Sequence, residues 1–251
     1  MRFAVLSDIH SNMEALSAVL SDIDIGCNGA AIDQVISLGD NIGYGPDPEQ
    51  VISTLRERQI PSVLGNHERA LLDENFSNPF NPAAKKALLI NKQLLSKKSI
   101  DYISTLAPFL VFHGARFVHG VPPDLVDRYI FKEKKTSLVH IMDALKERIA
   151  FVGHTHELMI YESAPRGVQK KNFIKTRVFL AKEYKYIINT GSVGQPRDGY
   201  NEAKYVVWDS MENTIESRFV SYDIPSVVKK MKKAGIPIQY AIQLERAGTG
   251  Y

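Results

Sequence analysis

Five of the seven histidines in this 251-residue chain stand in one kind of place, just past a short apolar run and beside a glycine, an aspartate or an asparagine. Phe3-Ala4-Val5-Leu6 leads to Asp8-Ile9-His10, and Val35-Ile36-Ser37-Leu38 leads to Gly39-Asp40. Val63-Leu64 leads to Gly65-Asn66-His67-Glu68, and Phe117-Val118 to His119-Gly120. Phe151-Val152 runs into Gly153-His154-Thr155-His156, and Tyr186-Ile187-Ile188 into Asn189-Thr190-Gly191-Ser192. In open α/β sheets the carboxyl ends of strands form the crevice where ligands bind. Residues distant in sequence can converge there, and neighbouring glycines let the backbone turn sharply.

Each piece alone carries little: Asp-x-His is commonly a turn or cap, and Gly-Asp a common loop. His154-x-His156 says more, because alternate residues of an extended segment reach adjacent positions. Together, and in this order, they predict Asp8, His10, Asp40, Asn66, His119, His154 and His156 as metal ligands. Imidazole, carboxylate and one carboxamide make a nitrogen and oxygen set without thiolate. It suits Mn²⁺, Fe²⁺, Zn²⁺ or Ni²⁺ and does not select among them. Seven ligands exceed one tetrahedral centre but fit two ions if a carboxylate bridges. Two-metal hydrolases hold their ions about 3.5–4 Å apart and clamp the attacking and leaving oxygens of an in-line displacement. A bridging water of lowered pKa is the expected nucleophile. His67 adjoins Asn66 without being needed as a ligand. It is either the proton donor to the leaving oxygen or an outer hydrogen-bonding partner.

The elements that must position these residues follow from periodicity. Phe3–Leu6 reads as a strand, and Ser11 with Glu14 as a capping box before Met13, Leu16, Leu20 and Ile23 at helical spacing. Val35–Leu38 is the next strand. The Gly43-Tyr44-Gly45-Pro46 turn then leads to Asp47-Pro48, a helix start with Val51, Ile52 and Leu55 inward. Ser62–Leu64 is expected as a third strand. This alternation predicts a parallel sheet with helices packed on it. From Glu68 to about Leu106 the pattern is helical, Ala84, Ala87, Leu88, Asn91, Leu94 and Leu95 sharing a face. That insertion either walls a substrate cleft or only packs.

Strands are expected beyond it at Phe109–Phe112, Arg116–Val118, Ile149–Val152, Leu158–Tyr161, Phe173–Leu180, Tyr184–Ile188, Tyr205–Trp208 and Thr214–Val220, with a helix at Thr136–Arg148. A last helix, Ile224–Ala234, turns Val227, Val228 and Met231 inward. Its Lys229, Lys230, Lys232 and Lys233 face outward as a solvated surface. The chain reads as a single domain, residues 1–251, with two sheets and a helical insertion at about 68–106.

Composition excludes more than it assigns. With 44% hydrophobic and 24% charged residues the chain resembles ordinary globular proteins. A net charge of +3 does not indicate nucleic-acid binding, and no apolar run is long enough for a membrane span. The single cysteine, Cys27, rules out an internal disulfide. With no signal-peptide pattern in Met1–Leu6, the expected compartment is the cytoplasm.

These blocks, in this order and over residues 1 to about 200, resemble the calcineurin-like metallophosphoesterase superfamily. Asp8-Ile9-His10-Ser11-Asn12, Gly39 through Pro46, and Asn189 through Asp198 look like its compact bacterial and archaeal phosphodiesterase-like branch. The resemblance implies a four-layer α/β/β/α sandwich. It also implies one metal on Asp8, His10, Asp40 and His156, and another on Asp40, Asn66, His119 and His154. Asp40 would be the bridge and His67 the catalytic acid. Glu68 stands where many relatives carry Asp; serine/threonine phosphatases and diadenosine tetraphosphatases carry Glu. Those enzymes also carry a Gly-Asp-x-Val-Asp-Arg-Gly block, whereas Asp40 here is followed by Asn41-Ile42-Gly43-Tyr44. This argues against a protein phosphatase.

The expected activity is phosphodiester hydrolysis on a small phosphoester or nucleotide. A nucleotide or dinucleotide pyrophosphohydrolase and a phosphomonoesterase are the rival enzyme readings. A partner-binding module on the same fold is the reading of another class, opposed by the presence of every expected ligand and His67. Three residues are candidate substrate contacts. Asn12 either reaches a phosphate oxygen or sits in the first helical turn. Arg197 pairs with a phosphate or with Asp198, and Tyr44 offers a ring for a base. His113 and His140 read as bystanders.

Overall fold

Alternation along the first strand decides the layers. In β1 (Arg2–Leu6), Phe3 and Val5 enter a core with Phe117, Phe151, Ile188, Val206 and Trp208, while Ala4 and Leu6 face Leu16, Val19, Leu20, Val51 and Leu55. Burial on both faces explains why this strand reads as a continuous apolar run. The computed structural model describes residues 1–26 and 29–246, so Cys27 lies outside the described residues.

Helix α1 (Met13–Ile25) links β1 to β2 (Gln34–Ser37), and α2 (Pro48–Glu57) follows. Three helices then run in succession: α3 (Asn66–Leu72), α4 (Pro82–Leu94) and α5 (Lys97–Ile103). After β3 (Phe109–Phe112) and β4 (Ala115–Val118) come α6 (Lys135–Ala144) and β5 (Ile149–Val152). The chain continues through β6 (Leu158–Ala164), β7 (Gly167–Lys171), β8 (Arg177–Phe179) and β9 (Tyr186–Thr190). It ends with β10 (Ala203–Asp209), β11 (Thr214–Val220), α7 (Ile224–Ala234) and α8 (Ile238–Arg246).

One sheet has the order β2-β1-β10-β11-β8, the other β3-β4-β5-β9-β6-β7. β1 and β2 are parallel, as are β4, β5 and β9. The inter-sheet core separates the sheets. α1 and α2 cover the outer face of the first, and α6 covers the second through Leu138 and Met142 against Val118, Ala150, Val152 and Ile187. That is the four-layer α/β/β/α sandwich. No helix among the described residues is long and apolar enough to cross a membrane.

Several expected elements are corrected. Ser62–Leu64 is too short for a ladder and holds only isolated parallel bridges, Ser37 to Ser62 and Val63 to Ala107. Of Phe173–Leu180, only Arg177–Phe179 pairs as a strand; Phe173 and Leu180 instead anchor the flanking turns in the core. α6 stops at Ala144, and its cap is Leu145 in extended conformation. β7 and α8 lie where no element was expected. The capping box at Ser11 does not form: Asn12 caps α1, accepting from the Ala15 N–H at 3.1 Å, while the Ser11 hydroxyl donates to Asn91.

The helical segment both packs and reaches the strand ends. Leu71, Leu88, Leu95 and Ile103 share a core with Ile42 and Ile52, and Ala87 packs with Val227, Val228, Met231 and Tyr240 of α7 and α8. Lys230 leaves the solvated row to pair with Glu14 at 2.6 Å and Asp47 at 3.0 Å, fastening α7 to the starts of α1 and α2.

Candidate metal centre

The turns leaving β1, β2, β4 and β5, with the start of α3, bring Asp8, His10, Asp40, Asn66, His67, His119, His154 and His156 together, all buried. Three sets place one donor atom per residue within 4.8 Å of one another: Asp8, His10 and His156; His10, Asp40 and His67; Asp40, His119 and His154. His113, packed against Phe3 in the β3–β4 turn, and His140 belong to none of these sets.

Hydrogen bonds fix which atom each side chain turns inward. His10 Nδ1 lies 3.0 Å from the Ile42 carbonyl, His119 Nδ1 lies 2.8 Å from the Leu38 carbonyl, and His156 Nδ1 contacts the Gln195 carbonyl. A carbonyl can only accept, so each Nδ1 carries a proton and each Nε2 is the atom turned inward. This is the orientation device of metal-ligating histidines. Asp8 Oδ2 accepts from the Ser7 hydroxyl at 2.5 Å and the His154 N–H at 3.0 Å, whereas its Oδ1 is buried without a hydrogen-bond donor. Asp40 likewise splits its roles: Oδ1 accepts from the His67 N–H at 2.9 Å, and Oδ2 lies 3.2 Å from His119 Nε2 and 3.8 Å from His10 Nε2.

The inward atoms are spaced as ligands of common ions are. Donors about 2.0–2.1 Å from one ion stand about 3.3 Å apart around a tetrahedron. His10 Nε2 and His156 Nε2 are 3.2 Å apart, and Asp8 Oδ1 is 3.1 Å from His156 Nε2. On the other side, His119 Nε2 is 3.2 Å from His154 Nδ1 and 3.0 Å from Asn66 Oδ1. The His10 Nε2–His156 Nε2 and Asp8 Oδ1–His156 Nε2 contacts set lone pair against lone pair unless a cation lies between, so the donor set fits divalent metal.

Burial also sets the protonation states. It pushes His67 and His154 down to about 3, and with the nearby Arg197 charge it pushes His156 down to about 4. At neutral pH these imidazoles are neutral, the form that donates to a metal. For His119 burial acts downward too, but the Asp40 carboxylate outweighs it and carries the group up to about 9. Asp8 and Asp40 are held well below the usual carboxylate range by the surrounding histidines, against their own burial.

The backbone is bent to make this possible. Asp8, His10, Asp40, His154 and His156 all have positive φ, from 48° to 66°. Such strain persists where the surroundings over-determine it. A Cβ at Gly153 would lie 1.8 Å from Ser7 Oγ, and one at Gly43 would lie 2.1 Å from His67 Nδ1. Neither position accepts a side chain without moving the site.

Among the candidate substrate contacts, Asn12 takes up the helical-turn alternative. Its carboxamide oxygen caps α1 and its nitrogen donates to the Gly194 carbonyl at 3.0 Å, so both ends are engaged within the protein. Arg197 is exposed beside the cluster, 5.9 Å over the Tyr44 ring. It is not the partner of Asp198, which pairs instead with the fully buried Lys204 at 2.8 Å. Tyr44 packs among His10, His67 and Tyr240 at ring distances of 4.4, 4.6 and 4.5 Å, which makes it a wall of the site.

Other contributors escaped the sequence reading. Glu68, noted only as a departure from relatives, is buried and accepts from the backbone N–H groups of Asp40 (2.9 Å), Asn41 (2.7 Å), Ile42 (3.2 Å) and Gly65 (3.0 Å). Burial beside Asp40 pushes its carboxyl up to about 7, while those donors favour the anion. Tyr129 stacks on His154 at 3.9 Å, and Phe80 meets His67 at 4.7 Å. A glutamate three residues after Gly65, at the start of a helix, was a usable signal for the first. No local pattern marks the other two.

Residues 1–213 match the calcineurin-like phosphoesterase superfamily domain. The chain is 32% identical over 243 residues, 93% of each chain, to an uncharacterised protein of Methanocaldococcus jannaschii. A metallophosphoesterase of Sphaerobacter thermophilus is 30% identical, with 98% of this chain and 99% of that one covered and a TM-score of 0.85. A hypothetical protein of Pyrococcus horikoshii shares the fold at a TM-score of 0.79 and 19% identity, covering 100% of this chain and 99% of its own. The chain belongs to the calcineurin-like phosphoesterase superfamily, and it is a phosphoester hydrolase of that metal-dependent family.

Proposed function

We propose that the chain, acting as one domain, hydrolyses small phosphodiesters with two divalent ions. One would rest on Asp8, His10, Asp40 and His156, the other on Asp40, Asn66, His119 and His154. The observation that carries this reading is the division of labour in Asp40. One oxygen is anchored by the His67 N–H, and the other is shared between donor sets on either side. Two bound ions would supply an activated water and a clamp on the phosphoryl oxygens.

The chain's own residues do the rest. The Nδ1 contacts of His10, His119 and His156 hold their Nε2 atoms inward. Glu68 locks the Asp40–Ile42 turn through its N–H groups. His67 lies with Nε2 4.0 Å from Asp40 Oδ2, at the edge of the cluster, and would deliver a proton to the leaving oxygen. Arg197, exposed beside the site, would pair with a non-bridging phosphate oxygen.

The test loads chelated protein separately with Mn²⁺, Ni²⁺, Zn²⁺ or Mg²⁺ and assays a chromogenic diester, a chromogenic monoester and a nucleotide panel. Metal-dependent diester cleavage above the others is expected. Activity without metal, or none under any loading, overturns the proposal.

A further inference from the structure

A cavity of about 410 Å³ opens against the candidate metal centre, and the mechanism above makes no use of it. Asn66 and His154 form its inner end, and His154 Nε2 is buried without a hydrogen-bond partner. Phe76 and Phe80, from the turn between α3 and α4, line one part, and Tyr129 from the segment before α6 lines another. Asn75, Asn78, Pro79 and Asp127 complete it, all exposed at its rim. Whatever occupies this space touches two of the four residues that would hold one metal, Asn66 and His154, and so would adjoin the scissile phosphate.

The lining says what that group is. Lysine and arginine are absent from it. Arg69 and Lys132 lie over the Phe76 and Tyr129 rings, at 4.0 and 5.0 Å, without lining the cavity. The formal charge at the rim is the Asp127 carboxylate. A second phosphate would meet that charge with no lysine or arginine in the lining to offset it, which disfavours a phosphate chain here. Aromatic walls with amide and carboxylate groups at the edge suit a neutral, planar group carrying its own donors and acceptors. Carboxamides pair with base edges, a carboxylate accepts from amino or hydroxyl groups, and rings accept the face of any base. The volume falls in the range of small-ligand sites, about 300–1,000 Å³.

We infer that this cavity is a nucleoside subsite, so that one arm of the phosphodiester is a nucleoside seated between the α3–α4 turn and Tyr129. The inference rests on the phosphodiesterase reading for its link to catalysis but makes its own binding claim. Base and ribose enter the cavity, and the phosphorus lies over Asn66 and His154. Asn75, Asn78 and Asp127 set the preference among bases.

Calorimetric titration of the full chain, as isolated and after chelation, with adenosine, guanosine, cytidine, uridine, phenol and choline tests this without any turnover. At least one nucleoside should bind both forms, and more tightly than phenol or choline. Asn75→Ala, Asn78→Ala and Asp127→Asn sit at exposed positions; with unchanged thermal melts and metal content, at least one should weaken that binding tenfold or more. No nucleoside binding up to millimolar concentration, equal binding by all three variants, or choline or phenol binding at least as tightly overturns the inference. If diester hydrolysis survives such a result, only the subsite fails. If nucleosides bind but no metal loading gives hydrolysis, the phosphodiesterase reading fails instead.

Discussion

In the strand-end loops, Asp8, His10, Asp40, His154 and His156 all take left-handed backbone conformations, whereas no residue from 66 to 106 does. Each such residue costs about 1–2 kcal/mol. The loops keep this strain because their groups are tied on several sides. Asp8 donates its N–H to the Gly39 carbonyl, and its own carbonyl accepts from the Gly194 N–H and the Ser192 hydroxyl. The helical wall is relaxed, and Leu72, Leu89 and Leu94 on it are exposed. Most of the converging side chains thus stand on over-determined strand-end loops, with Asn66 and His67 supplied by the start of α3. The exposed face of the wall beside them can vary in sequence at little cost.

The comparison breaks first at His67, which belongs to both regions: it opens the wall and faces the cluster. His67→Ala should lower kcat by about 10²–10⁴-fold, the range for a general acid, with metal content retained. Loss of a metal ion would make it a ligand, and an unchanged rate would leave it a packing residue. Glu68→Ala comes next. It strands the N–H groups of Asp40, Asn41, Ile42 and Gly65, and with each buried orphan costing about 1–3 kcal/mol the loss should be about 4 kcal/mol or more. In a chain of this size that is roughly a 10 °C fall in Tm; a shift under about 2 °C would show that the turn does not depend on Glu68.

Smaller effects separate the regions further. Asn12→Ala removes the α1 cap and should cost about 1 kcal/mol by chemical denaturation, with KM for a diester unchanged. A several-fold rise in KM would restore it as a phosphate contact. Leu89→Gln, on the exposed face of the wall, should change stability by less than about 0.5 kcal/mol. A larger loss would mean that the wall is as tightly determined as the loops.

The same contrast explains what the sequence revealed. Asp8, His10, Asp40, Asn66, His119, His154 and His156 were legible because strand ends are marked by short apolar runs and by glycines that the turns require. Buried on both faces, β1 and β5 left runs that could hardly be misread. The aromatic surround left no such mark: Phe80, Tyr129 and Tyr240 reach the site through tertiary packing alone. Asn12 was ambiguous because one carboxamide serves equally as cap or as ligand, and neighbouring Ser11 imitates a cap. Arg197 and Asp198 are adjacent in sequence, yet the buried Lys204 ammonium, which also contacts the Tyr200 and Glu202 carbonyls at 3.2 Å, takes the carboxylate.

The central claim is that Asp40 joins two metal positions. Its most direct test is elemental analysis of the purified chain and of Asp40→Ala, each reconstituted with Mn²⁺ or Zn²⁺ and freed of excess ion. Two ions per chain in the wild type, falling to one or none in Asp40→Ala, is the predicted result. A single ion in the wild type, or two retained without Asp40, would contradict it.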